Sequence, residues 1–263
     1  MNSNYREIIE TAYSAMKKWN ILYALVLFPT GIAFFLFVAY YIPSFGRLVS
    51  QTSSLVSNHI TDFEYHLGVS GNILVVIFLI FWFLYFTTYI LSKRNRIKAY
   101  LFGQVSFFLL VLLVYYSMFY GTQFFVPFLL LRIIYWIFFI TSIAYITYFS
   151  FNTSSSSQIT FPKLDKRLFT NLLLLLWGIT AVLNIVTGEF NRLIARLLLS
   201  VTPIVPILLM IFFTRALCSQ LLIIKSLRVV NRDQEKYRQE FGYSVKDWYG
   251  KKSRQYKESL KNK

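Results

Sequence analysis

NILVVIFLIFWFLYFTTYILSKRNRIKAYLFGQVSFFLLVLLVYYSMFY, residues 72–120, decides the fold class of this chain. It holds two apolar runs, 72–91 and 100–120, separated by a short segment with four basic residues. Each run is about as long as the roughly 20 residues that an α-helix needs to cross a bilayer core. The runs are continuous rather than alternating, which favours helices over a β-barrel. The stretch therefore predicts a helical hairpin within a membrane.

The rest of the chain has the same apolar character, with 56% hydrophobic and only 14% charged residues among its 263. Such a composition is typical of membrane proteins. Six stretches are long enough to span a bilayer: Trp19–Ile42, Asn72–Leu91, Tyr100–Tyr120, Phe124–Tyr148, Phe169–Val186 and Leu197–Leu222. We predict an all-α polytopic membrane protein with an interfacial segment (1–18), a six-helix transmembrane domain (19–222) and a basic tail (223–263).

The basic residues predict the orientation, because Lys and Arg accumulate on the cytoplasmic side of a membrane. With the N-terminus inside, the inner segments hold 22 of the 27 basic residues and the outer segments hold three. Both termini are therefore predicted to be cytoplasmic, and a cell (plasma) membrane is the expected location. This topology makes 43–71 an outer loop and the Ser-rich 150–168 an inner loop.

Acidic residues are missing from the interior of every predicted span. Proton-coupled pumps, intramembrane aspartyl proteases and carboxylate-liganded metal transporters need such groups, so these classes are disfavoured. The sequence also lacks P-loop, Gly-x-Ser-x-Gly, His-Glu-x-x-His and Cys-x-x-Cys patterns, and Cys218 is its only cysteine. We predict neither a cofactor nor a catalytic residue.

Arg132 lies within the fourth predicted span, about 12 Å of helix rise from its outer end. An arginine at this depth costs roughly 2.5–3.5 kcal/mol on the mildest scale, so it needs a polar partner. One interpretation is a contact to an anion or a lipid phosphate, which suits the planar guanidinium. The other is snorkelling, or a structural hydrogen bond to a carbonyl or a tyrosine such as Tyr116.

The sixth span and the residues before it hold the other candidate site residues. Pro203 and Pro206 each remove a backbone donor, which predicts a kinked or broken helix at the outer end of the span. Arg192 and Arg196 share one face of a short outer helix. They form either a solvated surface or, together with Arg132, an outward-facing cationic lining.

The outer loop contains HITDFEYH, residues 59–66, with both histidines of the chain. The apolar residues of 48–67 recur at helical spacing and predict an amphipathic helix on the outer interface. On such a helix His59, Asp62 and His66 share one flank, which makes them three candidate metal ligands, while Glu64 falls on the opposite flank. The alternative is a wet polar face without a metal.

The tail is basic and aromatic, and it predicts helices. Residues 216–241 can continue the last span as one helix with Gly242 as its C-cap, and Ser244 with Asp247 indicates the start of another. The expected partners are anionic lipid headgroups, with a cytoplasmic or membrane partner subunit as the other option. Nucleic acid is not expected, because no known binding module is present.

Three functions fit these features. We expect a non-enzymatic membrane component, namely a transport or export (permease-like) subunit or accessory protein with an arginine-containing outward-facing site for an anionic or lipid ligand. The first alternative is a scaffold, assembly or self-protection protein without a substrate path. The second is a membrane-embedded enzyme for lipid-linked substrates, for which His59, His66 and Asp62 are the only available constellation.

Overall fold

The computed structural model describes residues 3–52, 62–68, 70–152, 166–187 and 193–261. Within these ranges all regular structure is helical, which confirms the predicted all-α class. In chain order the elements are α1 (Ser3–Lys18), a π-helical segment (Tyr23–Leu27), α2 (Phe28–Thr52), α3 (Asp62–His66), α4 (Gly71–Ser92), α5 (Arg96–Gln123), α6 (Leu129–Asn152), α7 (Lys166–Val186), α8 (Leu193–Val201), α9 (Ile204–Arg232), α10 (Gln234–Glu240), α11 (Val245–Tyr249) and α12 (Arg254–Lys261).

Five helical segments of the described chain are long and apolar enough to cross a membrane: Tyr23–Val49, Asn72–Ser92, Arg96–Gln123, Leu129–Tyr148 and Leu193–Thr214. Their outer surfaces are apolar too, since Phe34, Phe83 and Leu130 are 65%, 68% and 72% exposed. Helices that present apolar side chains on all faces are stable in lipid rather than in water. These features indicate a multi-pass membrane protein.

The fifth predicted span corresponds to α7, and its status differs from the others. Within the described residues its apolar part runs from Asn171 to Val186. Sixteen residues rise about 24 Å, which is less than a bilayer core of about 30 Å. The count of six spans therefore stays a prediction.

Helix α5 is the centre of the bundle. Its middle contributes Leu110 to a cluster with Ile32 and Leu36 of α2 and with Phe81 and Tyr85 of α4. Its second half contributes to another cluster, formed with α6, α7 and α9: Tyr115, Phe119, Tyr135, Phe139, Leu173, Leu176, Ile207 and Met210 are members. Helix α5 therefore packs against α2, α4 and α9, while α6 also packs directly against α9 and α2 against α4.

The first span is longer than predicted. We expected it to end at Ile42, yet α2 continues through Pro43 to Thr52. Gly46 and Gly121 explain the extension, because without side chains the backbones of α2 and α5 approach closely at this point. A Cβ atom on Gly121 would lie 2.8 Å from the backbone Cα and N of Pro43. Packing against α5 therefore outweighs the hydrogen bond that proline removes.

The last span is interrupted where its two prolines lie. Helix α8 ends at Val201 and α9 begins at Ile204, with Pro203 at the N-cap position of α9. Pro206 lies in the first turn of α9, where a missing amide hydrogen costs little. The break thus coincides with Pro203.

Both terminal segments lie at the same end of the bundle, which we call the tail end. Ile9 of α1, Ile97 at the start of α5, Leu227 of α9 and Trp248 of α11 belong to one buried cluster. The start of α5 and the C-terminal part of α9 therefore meet both terminal segments at this end.

Substitution of Gly121 by alanine is expected to destabilise the protein by about 1–3 kcal/mol, because the new methyl group meets backbone atoms that cannot move aside. Gly178→Ala is the matched control, since a Cβ there has nothing within 4 Å. It should be neutral or slightly stabilising, as expected for Gly→Ala within a helix. Thermal unfolding in mild detergent measures both; equal midpoints for the two variants would contradict the close α2–α5 contact.

Candidate functional site

Arg132, near the start of α6, forms a two-point ion pair with Glu64 of α3. Its Nε lies 2.6 Å from Glu64 Oε1 and its Nη2 lies 3.1 Å from Glu64 Oε2. Its Nη1 donates to the carbonyl oxygen of Val126 at 3.0 Å. The arginine is only 2% exposed, whereas the Glu64 side chain is 14% exposed. Arg132 thus has the carboxylate partner that its burial requires.

The connection between α5 and α6 is the framework of this site. All residues from Gly121 to Pro127 are buried, although the chain leaves the helical conformation after Gln123. Buried backbone groups outside a helix need partners. Arg132 supplies one for the Val126 carbonyl, and Asn184 of α7 supplies another through its Nδ2, 3.3 Å from the Phe125 carbonyl oxygen.

Arg196 belongs to the same network. It lies on α8, is 2% exposed, and donates from Nη1 to the carbonyl oxygen of Asn184 at 2.9 Å. A chain of hydrogen bonds therefore links Arg196, Asn184, the α5–α6 connection and Arg132. The structure thus brings two of the three predicted arginines to one buried network, while Arg192 lies outside the described residues.

Helix α3 is attached to α5 by tyrosines. The Tyr120 hydroxyl donates to the Glu64 carbonyl oxygen at 2.9 Å, and the Tyr116 hydroxyl donates to the Leu67 carbonyl oxygen at 2.6 Å. The guanidinium of Arg47 lies 4.9 Å from the centre of the Tyr65 ring. The sequence predicts Tyr116 as a possible hydrogen-bond partner of Arg132. In the structure Tyr116 instead binds the segment that contains Glu64.

Glu64 is the residue that the sequence analysis missed. Helical spacing places it on the flank opposite the candidate ligands, and the sequence pattern assigns it no role. A signal was available: an intramembrane arginine needs a carboxylate, and the predicted outer segments contain only Asp62, Glu64 and Glu189. To choose among these three residues, one must know where α3 packs against α5, and no local sequence pattern gives that position.

The predicted metal site is only partly described. His59 lies outside the described residues, Asp62 is described only as the first residue of α3, and His66 is exposed at the end of that helix. Among the side chains that the structure describes, no three His, Cys, Asp or Glu residues form a group able to hold a metal ion. Metal binding by His59, Asp62 and His66 stays a prediction.

The tail is folded against the bundle rather than extended from it. Asp233 ends α9 with φ −113° and ψ 42°, so the predicted single helix over 216–241 is divided into α9 and α10. Gly242, with φ 71°, follows α10 as expected for its C-cap, and Ser244 accepts a hydrogen bond from the Asp247 amide at 3.0 Å. Trp248 is only 1% exposed.

A charged cluster supports the fold of the tail. Arg238 binds Glu235 through its Nε at 3.0 Å, and the Tyr249 hydroxyl donates to the same carboxylate at 3.2 Å. The bond from Arg238 is the main reason that the pKa of Glu235 falls to about 2. Burial, with the negative charge of Glu235 nearby, raises the pKa of Tyr249 to about 12. The Glu235 carboxylate and the Arg238 guanidinium therefore stay charged across the physiological pH range.

No protein-family model matches the chain, and neither curated proteins nor solved structures show significant similarity to it.

Removing either partner of the Arg132–Glu64 pair should be far more harmful than removing both. Arg132→Met or Glu64→Leu leaves a buried charge without its main partner, with an expected loss of about 3–5 kcal/mol. The double variant should recover most of that loss, because two apolar side chains need no partner. Unfolding in mixed detergent–SDS micelles gives the three free energies; strictly additive losses would contradict the ion pair.

Glu235→Gln should destabilise the tail in a pH-dependent manner. Since folding lowers the carboxyl pKa from about 4.5 to about 2, the stabilisation is complete above pH 4.5 and disappears as the pH falls through 2. Solvent screening of this half-exposed carboxylate limits it to about 1 kcal/mol. Tail unfolding, followed by the part of the tryptophan fluorescence that Trp248→Phe removes, should separate variant from wild type clearly at pH 7 and much less at pH 2; Glu240→Gln is the exposed control. A difference at pH 2 as large as that at pH 7 would contradict the assignment.

Proposed function

We propose that this chain is a six-span, non-enzymatic component of a cell membrane, of the permease-like transport or accessory type, with both termini in the cytoplasm. In this proposal Arg132 forms an anion site at the outer end of the bundle, and Glu64 occupies that site in the resting state. A carboxylate or phosphate group of a ligand exchanges with Glu64 when the protein acts.

The charge distribution supports the orientation. The tail end contains α1, the turn between α4 and α5, the C-terminal part of α9, and α10 to α12, which are the segments richest in lysine and arginine. Under the positive-inside rule this end faces the cytoplasm. Arg132, Glu64 and the α5–α6 connection then lie toward the outside.

The two-point contact between Arg132 and Glu64 is the observation that carries the proposal. A guanidinium fork binds carboxylates and phosphates with the same geometry, so it is suited to exchange one for the other. Glu64 also belongs to the short helix α3 and not to a span. Its carboxylate can therefore be replaced without the movement of any membrane-crossing helix.

A scaffold function without a substrate path is the second candidate, and a specific observation favours it. Arg132 and Arg196 are both 2% exposed, and both donate to backbone carbonyls of the outer end. If no ligand replaces Glu64, these arginines serve only to fasten the outer end of the bundle, as a structural or assembly protein would require.

Ligand retention by Glu64→Ala distinguishes the two candidates. The full-length protein is purified in mild detergent and incubated with phosphatidylglycerol in one arm and inorganic phosphate in the other. Native mass spectrometry then counts the bound molecules. We expect Glu64→Ala to retain at least about tenfold more of one anion than the wild type, because the substitution frees the Arg132 guanidinium for the ligand. A gain of about 1.4 kcal/mol in binding free energy corresponds to a factor of ten.

Two controls complete the experiment. Asp233→Ala also removes a carboxylate from an arginine pair, but the Arg232 and Asp233 side chains are 78% and 43% exposed, so retention should not change. The double variant Glu64→Ala/Arg132→Gln should lose the gain. Equal retention by folded Glu64→Ala and wild type would reject the anion site and leave the scaffold function.

A further inference from the structure

Arginines and lysines have different roles at the tail end. All four ion pairs described there use arginine: Arg6–Glu10, Arg232–Asp233, Arg238–Glu235 and Arg254–Glu258. Ten exposed lysines of this end form no ion pair within the described residues: Lys17, Lys18, Lys93, Lys98, Lys236, Lys246, Lys251, Lys252, Lys257 and Lys261. The acidic residues of these pairs thus neutralise arginines. Most of the charge outside the pairs is carried by lysine, and Arg94 and Arg228 are exposed exceptions.

This division indicates the kind of partner. Arginine recognises individual carboxylates or phosphates through its fixed fork, whereas lysine is a compact, hydrated point charge on a flexible stem. A surface of lysines is therefore suited to a diffuse layer of negative charge, such as the headgroups of an anionic leaflet, rather than to one stereospecific ligand.

The last two helices lie at the level where the spans end. Gly250, which follows α11, has φ 86°, and a Cβ atom on it would be 2.8 Å from the Lys93 carbonyl oxygen. Lys93 is the C-cap of α4, one of the membrane-crossing helices. Arg96 of α5 also donates from Nη1 to the Asp247 carbonyl oxygen at 2.9 Å. The tail is thus fixed beside the ends of two spans.

Helix α12 begins only four residues after Gly250. Its eight residues rise about 12 Å, a length similar to the Debye length of about 8–10 Å in physiological salt. Helix α12 packs against α11, the helix that contacts the ends of the two spans.

An apolar side chain accompanies these lysines. Leu260 is 56% exposed and lies between Lys257 and Lys261, which are exposed as well. Helices that lie on membranes combine an apolar side chain that enters the interface with lysines that contact headgroups. Tyr256 and Ser259 are less exposed and mark the inward side of α12. Leu260 lies on the flank between Tyr256 and the exposed Lys257.

We propose that α12 is a lysine-rich element that rests on the anionic leaflet, with Leu260 entering the interface and Lys257 and Lys261 contacting lipid phosphates. The preceding basic residues, Lys251 and Lys252, add to the same attraction. The inference rests on the membrane-spanning arrangement proposed above. It is independent of the Arg132 site, which lies at the opposite end of the bundle.

The single buried cysteine makes a direct test simple. Cys218 is fully buried, so in the full-length protein an environment-sensitive dye reacts with an introduced cysteine. The dye is placed on Leu260→Cys, where it replaces one apolar group by another, and the protein is reconstituted in nanodiscs. The discs contain either phosphatidylcholine alone or phosphatidylcholine with about one-third phosphatidylglycerol, a headgroup mixture that supplies the expected surface charge.

We expect a blue shift and quenching by lipid-attached quencher in the anionic discs, and neither in the neutral discs. The effect should disappear at high salt, where the Debye length is about 3 Å, and in Lys251→Gln/Lys257→Gln/Lys261→Gln. The same dye on Glu240→Cys, an exposed position of α10, should not respond.

Emission that is independent of lipid charge would overturn the proposal. So would an equal response of the Glu240 control, since the effect would then not belong to α12. A response to added polyglutamate but not to phosphatidylglycerol would also overturn it and would identify an acidic protein as the partner. The lipid-retention experiment on Glu64→Ala probes the opposite end, so the two proposals can fail separately.

Discussion

The burial of one positive charge near the end of a membrane-crossing helix constrains this structure more than any other feature. Arg132 is 2% exposed in a helix whose remaining surface is apolar. A guanidinium in such a position is tolerated only when its donors are satisfied. Glu64 and the Val126 carbonyl satisfy them at 2.6–3.1 Å. The location of α3 against the bundle follows from this requirement.

The end of the bundle opposite the tail end is organised around that pair, and the tail end is organised differently. At the Arg132 end, buried polar groups hold a non-helical connection, with Arg132 and Asn184 each bonded to one of its carbonyls. At the tail end, apolar packing around Trp248 and Leu227 holds the terminal segments, while the charges lie on the surface. Polar interactions therefore stabilise the end with Arg132, where protein or lipid surrounds the buried groups. Hydrophobic burial stabilises the tail end, where water is the solvent.

The sequence predicts the helical class and much of the local structure for physical reasons. Continuous apolar runs require helices, and the predicted features at Pro203, Gly242 and Ser244 act through the backbone of the residues beside them. Contacts between distant segments were not predictable in this way. The extension of α2 to Thr52 depends on Gly46 meeting Gly121, and the partner of Arg132 lies 68 residues away. Local patterns carry no information about such pairs.

Hydrogen exchange of the Arg132 Nε–H group tests the central claim most directly. In protein with ¹⁵N-labelled arginine, the Arg132 resonance is identified by its loss in Arg132→Lys and compared with that of Arg6, whose side chain is 63% exposed. A two-point pair with Glu64 predicts much slower exchange at Arg132 than at Arg6, and acceleration in Glu64→Gln. Exchange at Arg132 as fast as at Arg6, or unchanged by Glu64→Gln, would contradict the account.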